Sequence, residues 1–193
     1  MIKNLSPEKL TARERILLTA HDLFYEDGIR ATGIDKIIAQ AKVTKVTFYR
    51  HFPSKNELII AFLDYRHQLW LDWFKAALNR HTSDSAENPL MALVPALAEW
   101  FKNPIFRGCA FINSVAELGG SLAEVMRISS QHKQDMAEVI AQLLPESTNR
   151  GAIANAAAIA VDGAIVKAQL DVKQGTADTA LAGLALLLQG IST

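Results

Sequence analysis

Residues 34–58 read Ile34-Asp35-Lys36-Ile37-Ile38-Ala39-Gln40-Ala41-Lys42-Val43-Thr44-Lys45-Val46-Thr47-Phe48-Tyr49-Arg50-His51-Phe52-Pro53-Ser54-Lys55-Asn56-Glu57-Leu58. Ile34, Ile37, Ile38 and Ala41 recur at helical spacing and form the apolar side of a short helix over Ile34–Ala41. Thr44 is a cap for a second helix over Lys45–His51, and Pro53-Ser54 breaks the chain after it. About three residues join the two helices, the spacing of a helix-turn-helix. On a helical wheel Val43, Phe48 and Phe52 cluster on the inner side of the second helix; Val46 and Arg50 point the other way, with Thr47 and Tyr49 on the flanks. So short a helix holds its shape only by packing that inner side on its neighbours. The outer side then offers a guanidinium, a hydroxyl, a methyl-rich side chain and a phenol. Arg bonds guanine edges, and Thr or Val touches the thymine methyl. Lys45, Thr47 and Arg50, with Val46 beside them, are therefore candidates for contact with base edges. Taken alone, the same helix also fits a solvated surface with incidental charge.

Working outward, Thr11–Asp27 carries Ile16, Leu17, Ala20, Leu23 and Phe24 in one stripe, and Gly28 follows to stop the helix. Thr32, with Asp35 three residues on, reads as an N-cap with an acidic first turn. Downstream, Ser54-Lys55-Asn56-Glu57 reads as a capping box for a long helix reaching about Arg80. A loop is expected over His81–Pro89 and another over Asn103–Gly108. Helices are expected at Pro89–Lys102, Cys109–Leu118, Leu122–Leu144, Ala152–Val172 and Thr176–Gly190. No stretch alternates for long enough to make a sheet. The expected fold is all-α, about nine helices, with a three-helix N-terminal helix-turn-helix domain over 1–53 and a larger helical bundle over 54–193.

The chain has 193 residues and no formal net charge, so the whole does not announce a polyanionic partner. The charge is unevenly placed: residues 1–58 hold ten Lys/Arg against seven Asp/Glu, and residues 59–193 hold ten against thirteen. This bias puts any nucleic-acid contact at the front. Cys109 is the only cysteine, which excludes an internal disulfide and fits a reducing compartment. The opening MIKNLSPEKLTARER has no apolar core, and the most apolar run, Ala180–Leu188, falls short of the roughly 20 residues of a membrane span. A soluble, cytoplasmic protein without membrane association is expected. The five histidines form no HExxH and no close metal-ligand set, and Cys109 lies in no nucleophile motif, so neither an enzyme nor a metal or other cofactor is expected.

The longer segment adds Arg15-Ile16-Leu17, Leu23-Phe24-Tyr25-Glu26-Asp27-Gly28 and Thr32 to the stretch quoted above. Together these residues, over about 11–60, closely resemble the DNA-binding domain of the TetR family. The order of features carries the resemblance: a first helix closing on Leu-Phe-x-x-x-Gly, a Thr cap, and an aromatic pair before Phe-x-x-Lys-x-x-Leu. By the family's pattern Thr44, Tyr49, His51 and Lys55 match positions that touch phosphates. Thr32 and Ser54 mark helix N-termini, whose free N–H groups suit anions. Two positions depart. Lys42 stands where the family often has glycine, at a cost of about 1–2 kcal/mol if the backbone is left-handed. Val46 stands where a small residue is frequent, so base preference is not transferable. The resemblance implies a transcriptional regulator, commonly a repressor, released from a palindromic double-stranded operator when a small molecule binds the C-terminal domain. The alternative is an architectural or effector-independent DNA binder.

All three tryptophans lie in the larger domain, among Trp70, Trp73, Phe74, Trp100, Phe101, Phe106 and Phe111. Such rings either fill a core or wall a ligand cavity. Trp70, Trp73, Trp100 and Phe111 are the aromatic candidates for effector binding. Asn113, Glu117 and His132 are polar anchors, because a buried amide or ionisable group needs a partner. Helices over Ala152–Ala168 and Ala180–Leu188 lack a polar face and need two apolar neighbours. One is their own domain; the other is expected to be the same pair in a second subunit, giving a homodimer about a two-fold axis, the alternative being a wholly internal buried helix. Ala156, Ala160, Gly163, Leu184 and Leu187 are the candidate interface residues.

Overall fold

A computed structural model describes residues 10–82, 87–170 and 176–191. Among them are nine α-helices and no strand: α1 (Ala12–Asp27), α2 (Ile34–Ala41), α3 (Lys45–His51), α4 (Lys55–His81), α5 (Leu93–Phe101), α6 (Ala110–Leu118), α7 (Ala123–Ala141), α8 (Arg150–Gln169) and α9 (Thr176–Ile191), with a 3-10 turn at Pro89–Ala92. The all-α expectation holds. The expected end of the eighth helix at Val172 and part of the loop over 81–89 lie outside the described residues.

The chain forms two compact units. One comprises Met1–Arg66 and Ala110–Ile128, the other His67–Cys109 and Ser129–Thr193.

In the first unit, α1 begins with a complete capping box. The Thr11 hydroxyl accepts from Glu14 N at 3.3 Å, and the Glu14 carboxylate accepts from Thr11 N at 2.8 Å. Ile16, Ala20, Leu23 and Phe24 form its buried stripe. Gly28, at φ +90°, turns the chain out of the helix. The turn between α2 and α3 passes through Lys42 at φ 53°, ψ 52°, the one non-glycine residue with positive φ among the described residues. The backbone at Lys42 is left-handed, so the cost of about 1–2 kcal/mol attached to that case applies. The turn is closed by bonds from Lys42 N to Ala39 O and from Val43 N to Ile38 O, both 3.3 Å. Thr44 caps α3 by accepting from Thr47 N at 3.1 Å, and Ser54 caps α4 by accepting from Glu57 N at 3.2 Å. Phe48, Phe52, Leu58 and Phe62 are buried, so α3 and the start of α4 share one apolar core with α1.

In the second unit, α8 packs along α9, and α9 also meets α5. The buried side of α8 is lined by Ala154, Ala157, Ala158, Val161, Ala164, Ile165 and Ala168. Side chains this small let α9 approach closely, and Ala180, Leu184 and Leu188, four residues apart, fill the contact. By length and composition α8 is apolar enough to cross a membrane, yet 44% of its apolar window is buried within the protein.

Candidate functional site

The recognition element is α3. Its inner residue, Phe48, is completely buried. Its outer arc is open: Val46 is 78% exposed, and Lys45, Tyr49 and Arg50 are exposed as well. Tyr49 is held edge-on to Phe48, ring centroids 5.3 Å apart, which fixes the direction of its phenol. Thr44 and Thr47 share a hydrogen bond between hydroxyls at 2.9 Å, so the start of the helix is stiffened by two contacts. Lys45 lies 4.0 Å from Asp35 at the surface, a loose pair that solvent screens. His51 is half-buried at the C-terminal end.

Two DNA candidates are placed differently from expectation. Thr32 is not the cap of α2; Gly33 is. The Thr32 side chain is completely buried, and its hydroxyl donates to Gly28 O at 2.8 Å and Leu23 O at 3.3 Å. It satisfies the carbonyls left over at the end of α1, so it is a structural residue of the turn. Lys55 is half-buried, and its ammonium donates to Ile29 O at 2.6 Å and lies 5.9 Å from the Phe24 ring. Burial pushes its pKa down, with the Glu117 carboxylate opposing that shift.

Glu117 is also redirected. It is no effector anchor: its carboxylate accepts from Ile29 N at 3.1 Å and Arg30 N at 2.7 Å, while Arg30 Nε donates to Glu117 O at 2.7 Å. Ile29 is thus held on both sides, its N–H by α6 and its C=O by α4. A Cβ on Gly28 would sit 3.3 Å from Glu117 Oε1, so the turn is closed tightly over the carboxylate. The clasp fixes the α1–α2 turn on which the recognition helix rests. Its two halves stand far apart in sequence, so periodicity gave no signal for it.

The same unit holds a buried polar pair that sequence reasoning missed. His21 Nδ1 lies 2.8 Å from Asp22 Oδ1, and His21 Nε2 lies 3.3 Å from Arg66 Nη1. Arg66, also buried, stacks over Tyr25 with its guanidinium carbon 4.1 Å from the ring centre. With Nδ1–H donating to Asp22, Nε2 accepts from the guanidinium, which requires a neutral ring. Burial chiefly pushes the His21 pKa down; the Asp22 hydrogen bond opposes this, and the Arg66 charge adds to it.

Of the effector candidates, Phe111 and Asn113 belong to the first unit, buried and half-buried respectively. Trp70, Trp73, Trp100 and His132 come together in the second. Trp70 stacks on Phe74 with centroids 4.6 Å apart and meets Trp100, Trp73 and His132 at 5.7, 5.9 and 5.0 Å. The rings continue outward through Trp100 and Phe106, 5.1 Å apart, to Phe101. His132 Nδ1 lies 3.2 Å from His67 Nδ1, and His67 Nε2 lies 3.3 Å from Asp135 Oδ2. Asp135 therefore fixes the donor on His67 Nε2 when that ring is neutral, leaving His67 Nδ1 to accept from His132. His67 with Trp70, and Ser129 with His132 and Asp135, repeat at three-residue spacing on α4 and α7; that spacing was the available signal for the group.

The interface candidates divide. Gly163 is exposed, Leu187 is 56% exposed and Ala156 is half-buried, but Ala160 is buried and Leu184 is only 1% exposed. Leu184 and Ala160 belong to the protomer core, because α8 and α9 turn those faces toward each other. The apolar side chains left outside are Ile159 (74% exposed), Val166, Leu170 and Leu186, beside Leu187. On α8 they follow i, i+7 and i+11, one face of the helix.

The bacterial regulatory proteins of the tetR family match this chain over residues 16–62, the segment that builds α3 and its support. An uncharacterized HTH-type transcriptional regulator in the lacX 3'region of Lactococcus lactis subsp. lactis is 30% identical over 141 residues, covering 70% of this chain and 69% of that one. SCO4454, a TetR-family transcriptional regulator from Streptomyces coelicolor, superposes with a TM-score of 0.78 at 32% identity over 94% of this chain and 96% of its own. A structure of SmeT in complex with triclosan shares the fold at 18% identity, with a TM-score of 0.67 over 93% of this chain and 90% of its own. With that family match over the segment that builds α3, and relatives at 30% and 32% identity over most of their length, the chain belongs to the TetR family of transcriptional regulators.

Proposed function

We propose that this protein is a cytosolic, homodimeric repressor that leaves a pseudo-palindromic operator when a small, largely apolar molecule binds its C-terminal domain. In this reading residues 1–53 read DNA, and residues 54–193 hold the effector and the partner subunit. The observation that carries it is the two-sided recognition helix, with Phe48 buried and Val46, Arg50 and Lys45 turned outward. Arg50 is the base reader, supported by Thr47 and Lys45. Thr44, Tyr49 and His51, at or beside the ends of α3, hold phosphates. The exposed apolar face of α8 and α9 supports pairing with a second copy about a two-fold axis, which places two recognition helices on related half-sites. The aromatic cluster around Trp70 supports an apolar effector, and the SmeT–triclosan complex supplies a precedent for a small aromatic molecule in this fold.

The test is a binding titration on operator and scrambled DNA at several salt concentrations. Arg50→Ala should cost about 1–3 kcal/mol on the operator and much less on scrambled DNA. Equal loss on both would make Arg50 a phosphate contact and move base reading to Lys45, Val46 and Thr47. An effector that binds tightly but leaves operator affinity unchanged would favour the effector-independent alternative.

A further inference from the structure

Trp70 and Ser129 are each only 6% exposed, yet neither Trp70 Nε1 nor Ser129 Oγ has a protein hydrogen-bond partner among the described residues. Burying such a group without a partner is unfavourable, because it gives up its hydrogen bond to water and gains none in return. The two orphans are not scattered. Trp70 packs against His132 at 5.0 Å, and Ser129 stands one turn before His132 on α7. Both therefore neighbour His132 on the α4–α7 seam, Trp70 through its ring contact and Ser129 through its place on α7. An indole N–H is a donor only, so whatever completes it must bring an acceptor.

The surroundings restrict that acceptor further. The lysine nearest in sequence, Lys133, is held by Asp162 at 2.5 Å, and Asp135 lies against His67. A carboxylate placed here would meet two neutral donors, an acidic neighbour and a His67–His132 pair that Asp135 already engages. Around the donors stand Phe74, Trp100 and the half-buried Trp73, a set of rings that reaches the surface.

We infer that the α4–α7 seam is a binding site for an uncharged aromatic molecule bearing an oxygen acceptor, which takes hydrogen bonds from Trp70 Nε1–H and Ser129 Oγ–H while its ring lies among Phe74, Trp73 and Trp100. The inference rests on the effector reading above and specifies the chemistry of that effector: recognition by neutral donors, with aliphatic hydrocarbons and aromatic acids both disfavoured.

The experiment uses the full-length chain and three probes. Acetophenone carries the acceptor, ethylbenzene has the same shape without it, and benzoate carries it as an anion. Proton NMR follows the indole N–H resonances, with that of Trp70 assigned by its loss in Trp70→Phe. Acetophenone should shift the Trp70 resonance downfield and bind about tenfold tighter than ethylbenzene, the fold-change of one buried hydrogen bond gained. Benzoate should bind weakest. In Trp70→Phe, which keeps a ring, the ratio of acetophenone to ethylbenzene affinity should fall toward one. Ser129→Ala should reduce the same ratio and leave the melting temperature of the free protein unchanged or higher. Equal affinities for all three probes, absence of any binding up to their solubility, or an unchanged ratio in Trp70→Phe would overturn the inference. A clear loss of thermal stability in Ser129→Ala would overturn it too, by showing that the hydroxyl is already satisfied. The two readings fail separately. A Trp70 shift without release of operator DNA defeats the effector reading alone, whereas release by ethylbenzene and acetophenone alike defeats only the site chemistry.

Discussion

Replacing Glu117 by alanine tests how the DNA-binding head is held. The carboxylate accepts from two backbone N–H groups, Ile29 at 3.1 Å and Arg30 at 2.7 Å. Ile29 is buried, so its N–H would lose its partner without gaining water, at about 1–3 kcal/mol. Arg30 is exposed, and water replaces the lost acceptor there at small net cost. Alanine's higher helix propensity at the end of α6 returns a few tenths of a kcal/mol. The net expectation is a loss of about 2 kcal/mol for Glu117→Ala, and roughly half that for Glu117→Gln, which keeps one carbonyl acceptor. Denaturant unfolding of the full chain, with unchanged slope, measures it. Operator titration adds a second reading. The variant should bind operator and scrambled DNA more weakly in the same proportion, because Glu117 positions the turn and touches no base. A stability change within about 0.5 kcal/mol of wild type would show that the clasp contributes nothing, since that is the ordinary scatter of surface substitutions.

Three further outcomes are expected. His21 is held neutral, with a pKa below its ordinary value of 6.5, so the unfolded chain binds the extra proton first; stability is full above 6.5, falls as pH drops below it, and levels off beneath the folded-state value. Thermal melts from pH 8 to 5 should show this slope in wild type and its loss in His21→Gln. Lys42→Gly should raise stability by up to about 1 kcal/mol by relieving the left-handed backbone, measured by denaturant unfolding; an unchanged or lower value would mean that the Lys42 side chain compensates for its strain. Ile159→Glu and Leu187→Glu should shift sedimentation from dimer to monomer with little change in fold, whereas Leu184→Glu should unfold the protomer; dimers that survive both exposed-face changes would remove this face from assembly.

The helical elements and the recognition helix were legible in the sequence. Helical periodicity and end signals act within one or two turns, so Thr44 and Ser54 cap helices where their spacing says they should, and Phe48 and Phe52 fall inward. The outward arc of α3 follows from the same local geometry. Tertiary structure decided which way each ambiguous side chain faces, because that depends on helices distant in the chain. Thr32 reads as a surface cap until the end of α1 claims its hydroxyl, and Lys55 reads as a free cation until Ile29 O takes its ammonium. Glu117 meets Ile29 across a separation of 88 residues, which no window on the sequence spans. Leu184 and Leu187 both lie in an apolar run, and only the packing of α9 on α8 buries the first and leaves the second in solvent. Trp70 and Ser129 are likewise unremarkable helical residues in the sequence, and only the packing around them leaves Trp70 Nε1 and Ser129 Oγ buried without a partner among the described residues.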